Sequence, residues 1–313
     1  MLTDILVSGV TNSLGIRHVM VMCTRITVIF LIGISLSSSH SGKHEILQTD
    51  CECGVKNLDI VRRLPKGMFA GNHAWPWMAS IVNITIADDP SAYCGATLIN
   101  NRYILTAAHC IPDMRDTGID NFRIYLGTNL IDGGTDFLDL GIDTINSHPN
   151  FNFDTAENDI CLIKLSESVE FTSYINPICL RQSGSPFVDR MGYITGWGSF
   201  NLTEHTENAL KESEVVVVSN EICAKNYSSE DIPVTDNMLC AALPEEDPCK
   251  GDSGGPLIVK CSSTDTFTQI GIISHGEGCA VQDFPAIFTR VSSFIDWIQQ
   301  NTQDGVYCER TFS

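Results

Sequence analysis

Basic residues are scarce in this chain: 19 Lys and Arg stand against 38 Asp and Glu, a net charge of −19 over 313 residues. A surface of that sign repels phosphate backbones, which argues against nucleic acid as a partner. It would steer basic substrates towards the molecule, or serve solubility alone. Charged residues of both signs reach only 18% against 43% apolar, which excludes a disordered chain. Internal repeats and low-complexity blocks are lacking. Helical periodicity is scarce too: only Phe294, Ile295, Trp297 and Ile298, near the C-terminus, clearly share one helical face. No apolar run reaches the ~20 residues needed to cross a bilayer. Residues 19–36 come nearest, and Arg25 and polar neighbours interrupt them.

That stretch reads as a secretory signal. Residues 26–36 are apolar, Arg17 and Arg25 lie upstream, and Ser37-Ser38-Ser39 follows. Residues 1–39 are therefore expected to be a signal peptide, with a retained signal anchor as the alternative; Met20 or Met22 would give a more ordinary start. Residues 40–63 carry no motif of a separate module and are too few for a core of their own, so they read as a propeptide. Thirteen cysteines fit an oxidising, extracellular destination. Asn83, Asn201 and Asn226 each open an Asn-x-Ser/Thr triplet, a glycan acceptor in a secreted chain. Short apolar segments rich in β-branched residues recur at 103–107, 160–165, 214–218, 257–259, 269–274 and 286–291. Their length favours strands and an all-β fold; spacing alone does not separate a barrel from a sandwich.

Three motifs carry chemistry, in this order: Thr106-Ala107-Ala108-His109-Cys110, Asn158-Asp159-Ile160 and Gly251-Asp252-Ser253-Gly254-Gly255-Pro256. A serine hydroxyl is a poor nucleophile at neutral pH unless a base takes its proton during attack. An imidazole, titrating near pH ~6.5, suits that task, and a carboxylate behind it would fix the tautomer. Gly251 lacks a Cβ, so its N–H and that of Ser253 can point together at a developing oxyanion.

These residues resemble the trypsin/chymotrypsin family of secreted serine proteases. The resemblance also runs through Trp75-Pro76-Trp77, Cys94-Gly95-Ala96-Thr97-Leu98-Ile99, His148-Pro149, Gly196-Trp197-Gly198 and Ala286-Ile287-Phe288-Thr289-Arg290-Val291, and so covers about residues 64–301. It implies two six-stranded antiparallel β-barrels, about 64–178 and 179–290, with the catalytic cleft between them, a C-terminal helix, and a tail at 302–313. It implies His109, Asp159 and Ser253 as the catalytic residues, with Gly251 and Ser253 forming the oxyanion hole. Asp247, six positions before Ser253, corresponds to the floor of the primary pocket, where a carboxylate pairs with substrate Arg or Lys. Ser274, Gly276 and Ala286 correspond to its walls. Ala286 stands where glycine is usual, and Pro248 supplies no hydroxyl, which together favour Arg over Lys.

Relatives are zymogens, and the matching cut here falls after Arg63, freeing Leu64 to pair with Asp252. Pro65 and Lys66 depart from the usual new terminus. A catalytically impaired homologue acting as a binding or regulatory protein is therefore the alternative to an active endopeptidase. The resemblance suggests the disulfides Cys94–Cys110, Cys223–Cys240 and Cys249–Cys279, and a propeptide tether Cys53–Cys179. A further usual bridge is replaced at both ends, by Gly192 and Val259. Cys161 reads as a free core thiol, and Cys51, Cys261 and Cys308 stay unassigned. No cofactor or metal is implied; Thr128 stands where calcium-binding relatives carry an acid. The implied partners are a protein or peptide substrate, an activating protease and a protein inhibitor, around a monomer.

Overall fold

Strand patterning decides most of the architecture. In Phe122–Leu126 the burial alternates residue by residue, and Lys211–Val218 repeats the alternation over eight residues. Met78–Asn83, Tyr103–Thr106 and Cys161–Leu165 are instead buried almost throughout, as strands packed on both faces must be. The structure is a computed structural model that describes residues 51–57, 69–85, 92–134, 137–181, 187–198, 209–228, 233–242, 253–261, 265–275, 285–309 and 311–312. The compact unit to which they belong spans residues 46–313.

The first sheet is built from β1 (Met78–Asn83), β2 (Ala92–Leu98), β3 (Tyr103–Thr106), β4 (Phe122–Leu126), β5 (Leu138–Leu140), β6 (Ile142–Ser147) and β7 (Cys161–Leu165). Its order is β5-β4-β1-β2-β3-β7-β6. β5 and β6 are two halves of one run broken at Gly141, so the seven labelled strands wrap into a six-stranded barrel. The second sheet holds β8 (Cys179–Leu180), β9 (Met191–Gly196), β10 (Lys211–Val218), β11 (Met238–Ala242), β12 (Pro256–Lys260), β13 (Phe267–His275) and β14 (Ala286–Arg290). Its order is β12-β9-β10-β11-β14-β13-β8, and an added β12–β13 pairing closes a ring of six. Every pairing in these rings is antiparallel, while the two-residue β8 adds itself parallel to β13. The helices α1 (Ile111–Thr117) and α2 (Asn220–Asn226) are short, and α3 (Ile295–Asn301) forms near the C-terminus, burying Ile295 and Ile298.

Aromatic side chains join the two sheets. Trp75 meets Trp77 at 5.6 Å, Tyr193 of β9 at 5.7 Å and Phe267 of β13 at 5.2 Å between ring centroids. Such edge-on and tilted pairs add about 0.5–1.5 kcal/mol each beyond their buried area. Gly192 lies against Val259: a Cβ placed there would sit 3.5 Å from a Val259 methyl. The two positions where the related bridge is missing are therefore neighbours.

Disulfides pin the ends of the fold. Cys94–Cys110, Cys223–Cys240 and Cys53–Cys179 form as the resemblance suggested, and Cys249 and Cys279 lie outside the described residues. Cys51–Cys308 adds a bridge that spacing did not pair. It brings the buried Cys308 and the neighbouring Glu309 against the N-terminal segment, where Glu309 pairs with Glu52. That segment is docked as well as bridged. Gly54, at φ +68, donates to the Pro177 carbonyl at 2.8 Å and accepts from Phe267 N at 2.7 Å. A Cβ there would lie 2.1 Å from the Phe267 carbonyl, so only glycine fits. Lys56 places Nζ 3.7 Å above the Trp75 ring and 3.3 Å from Glu212 Oε2. Its burial holds the ammonium pKa below the usual lysine range despite Glu212.

Two bridges make the link redundant. After cleavage following Arg63, the two pieces are expected to run as one species on a non-reducing gel. The Cys53→Ser variant should do the same, because Cys51–Cys308 remains. Release of the segment from that single variant would contradict the second bridge.

Candidate active site

The chain leaving β3 turns at once into a single 3-10 turn, Ala108–Cys110, which carries His109. Thr106 at the end of β3 donates its hydroxyl to the Gly95 carbonyl at 2.8 Å, and Cys110 is bridged to Cys94. A bridge closing a loop of that length stabilises the fold by about 3 kcal/mol, chiefly by restricting the unfolded chain. Asp159 lies just before β7 and has no exposure to solvent. Asn158 before it has φ 57, and Ile160 N donates to the Asn158 carbonyl at 2.9 Å, a tight reversal that turns the carboxylate inward.

The two side chains meet. His109 Nδ1 lies 2.7 Å from Asp159 Oδ2, and His109 N donates to Oδ1 at 2.8 Å. Ser274 of β13 donates its hydroxyl to Oδ2 at 2.5 Å, and Thr289 of β14 donates to the Asp159 backbone carbonyl at 2.7 Å. A carboxylate can only accept, so the ring proton belongs on Nδ1 and Nε2 is left as an acceptor. The imidazole edge is partly open, with a quarter of the side chain exposed, while the carboxylate is sealed. Low dielectric around the carboxylate strengthens its grip on the ring.

Ser253 is half-buried and begins the turn before β12. Its carbonyl accepts from Gly95 N at 2.8 Å, and Gly254 N donates to the Ile273 carbonyl at 2.9 Å. Gly254 has φ +79, and a Cβ there would lie 2.2 Å from Thr106 Oγ1, 2.5 Å from the Gly95 carbonyl and 3.2 Å from Ala107 N. The backbone after Ser253 is thus pressed against the residues that lead into His109.

Other expected site residues distribute as follows. Ser274, expected as a pocket wall, spends its hydroxyl on Asp159. Ala286 opens β14, half-buried. Asp247, Gly251, Asp252, Gly276, Arg63, Leu64 and Asn201 lie outside the described residues. Asn83 folds back on its own triplet, accepting from Thr85 N at 2.9 Å, and Asn226 ends α2. Cys161 is a buried free thiol, and burial pushes its pKa up to about 12, so it is inert at neutral pH. Cys261 is half-buried, its sulfur 3.3 Å from Thr268 Oγ1. Cys94, His109 and Cys110 bring donor atoms within 4.8 Å of one another, but disulfide sulfurs lack the thiolate a metal requires. Sequence reasoning gave no role to Thr289, and nothing in a lone threonine inside a strand marks one.

A family model described as Trypsin matches residues 65–298. The clotting factor G beta subunit of Tachypleus tridentatus is 33% identical over 261 residues, 80% of this chain and 82% of that protein. The proclotting enzyme of the same organism is 33% identical over 260 residues, 80% of this chain and 68% of that protein. The venom protease of Bombus pensylvanicus is 34% identical over 233 residues, 71% of this chain and 92% of that protein.

Proposed function

From a chain that belongs to the Trypsin family, we propose a secreted serine endopeptidase, made as a zymogen, that cleaves peptide bonds after Arg or Lys. The observation that carries this reading is the His109 ring held 2.7 Å from a sealed Asp159, with Nε2 left to act as a base. Ser253 Oγ attacks the scissile carbonyl carbon while its proton passes to His109 Nε2. The carbonyl oxygen takes the negative charge, met by the N–H groups of Gly251 and Ser253. The imidazolium then protonates the leaving amine, and the acyl group stays on Ser253. Water, activated by the same imidazole, releases it. Four disulfides among the described residues support an oxidising, extracellular setting.

The family position of Asp247 supports specificity for a basic side chain. Asp247→Ser should lose cleavage after Arg by roughly a hundredfold or more, the cost of leaving a buried guanidinium unpaired, while cleavage after Phe changes little. An unchanged preference would remove Asp247 from the pocket floor. Activation is read as cleavage after Arg63, with the Leu64 amino group pairing with Asp252. A fluorophosphonate reagent tests the nucleophile directly. Protein cut after Arg63 should acquire one phosphonyl group on Ser253, mapped by mass spectrometry. Labelling elsewhere, or none, would overturn the assignment.

A further inference from the structure

Asp159 leads into β7 of the first barrel, yet much of what fixes it comes from the second. Its left-handed neighbour Asn158 and the reversal at Ile160 make an uncommon backbone that surrounding contacts must maintain. The first barrel holds the far side of that reversal, where His148 N donates to the Ile160 carbonyl at 3.0 Å. The second barrel holds the near side. Thr289 Oγ1 donates to the Asp159 carbonyl at 2.7 Å with both residues buried, and Asn237 Nδ2 donates to Asn158 Oδ1 at 3.2 Å.

Thr289 and Asn237 form one patch. Thr289 pairs in register with Met238, the residue after Asn237, across β11 and β14. Arg290 stiffens the patch: its N–H donates to the Asn237 carbonyl at 2.7 Å, and its guanidinium donates to the carbonyls of Asp236 at 2.8 Å and Met238 at 2.7 Å. We propose that Thr289 and Asn237 are positioning residues that set the Asp159 carboxylate against the His109 ring from the second barrel. The inference rests on His109, Asp159 and Ser253 acting as a triad. It extends that reading to two residues that meet neither substrate nor reacting atoms.

The mechanism is geometric. The bonds of the carboxylate to His109 run within the first barrel, whereas Thr289 ties the Asp159 carbonyl to β14 and Asn237, just before β11, holds the side chain of the adjoining Asn158. Losing the Thr289 hydroxyl leaves the Asp159 carbonyl unpaired in a buried site, and the peptide turns to find another donor. The carboxylate turns with it, and the ring loses its alignment.

The test compares Thr289→Val, which keeps shape but removes the donor, with Thr289→Ser, which restores it, and with the half-buried Asn237→Ala as an independent variant. In protein cut after Arg63, Thr289→Val should lower kcat per folded molecule roughly ten- to hundredfold, with KM within about twofold. Thr289→Ser should recover most of that loss, and Asn237→Ala should shift kcat in the same direction by less. In the Ser253→Ala background, the low-field proton resonance of His109 Nδ1–H should move upfield or broaden in Thr289→Val and return in Thr289→Ser. An unmoved resonance, or kcat within about twofold of the parent despite a lower Tm, would make Thr289 merely structural and overturn the proposal. A parent without turnover would overturn the triad reading instead, and the resonance would still decide whether Thr289 positions Asp159.

Discussion

Asparagine in place of Asp159 is expected to lower kcat/KM by about four orders of magnitude, the scale of the same change in a general Ser-His-Asp site. The arrangement here explains why no rotation of the amide rescues it. Oδ1 accepts from His109 N, while Oδ2 accepts from both His109 Nδ1 and Ser274 Oγ. Asparagine has one oxygen for those two places. With its oxygen towards His109 N, its NH2 faces Nδ1 and drives the ring proton onto Nε2, where no base is left for Ser253. With the amide reversed, its NH2 opposes the His109 backbone N–H, and a buried donor goes unpaired at about 1–3 kcal/mol. The readout is kcat/KM together with thermal unfolding: catalysis should collapse far more than stability. A variant within tenfold of the parent would contradict the assigned role of the carboxylate.

Gly254→Ala is the second large effect, and it acts on both stability and turnover. A side chain at φ +79 is strained by itself, by about 1–2 kcal/mol. The added carbon would also overlap Thr106 Oγ1 and the Gly95 carbonyl. Forcing extra volume into such a site costs about 1–3 kcal/mol. Relief must come by pushing the turn after Ser253 away from β2 and β3, and therefore away from His109. A displacement near 1 Å costs about a hundredfold in rate, so kcat should fall by at least that much. Adding Thr106→Ala should recover only part of the loss, because the Gly95 carbonyl is backbone and cannot swing aside. Full recovery in that double variant would show that the threonine side chain alone set the limit.

Much of this structure is legible in local sequence patterns. The short β-branched runs at 103–107, 214–218, 269–274 and 286–291 each fall on a strand, because length and composition need only their own segment to be read. Closure of the sheets into barrels was different: neither the Gly141 break nor the β12–β13 pairing is written in local periodicity. His109 and Asp159 stood out because their motifs are short and distinctive. The use of the Ser274 hydroxyl on Asp159, and the Thr289 and Asn237 contacts, depend on how strands from distant parts of the chain come to face one another. Cys51–Cys308 joins residues 257 positions apart and forms only because the C-terminal tail packs beside the N-terminal segment, which no spacing encodes. The contacts of Lys56 with Trp75 and Glu212 likewise come from segments far apart in the chain.

The proposed endopeptidase requires the cut after Arg63 and reads a basic side chain. The most direct measurement is hydrolysis of matched Arg, Lys and Phe peptide substrates by protein cut after Arg63, with Ser253→Ala as the blank. Rapid cleavage after Arg is expected, with slower cleavage after Lys, little after Phe, and none in the blank. Absence of hydrolysis with all three substrates, the cut having been verified, would contradict it and leave a protease-shaped protein that works by binding.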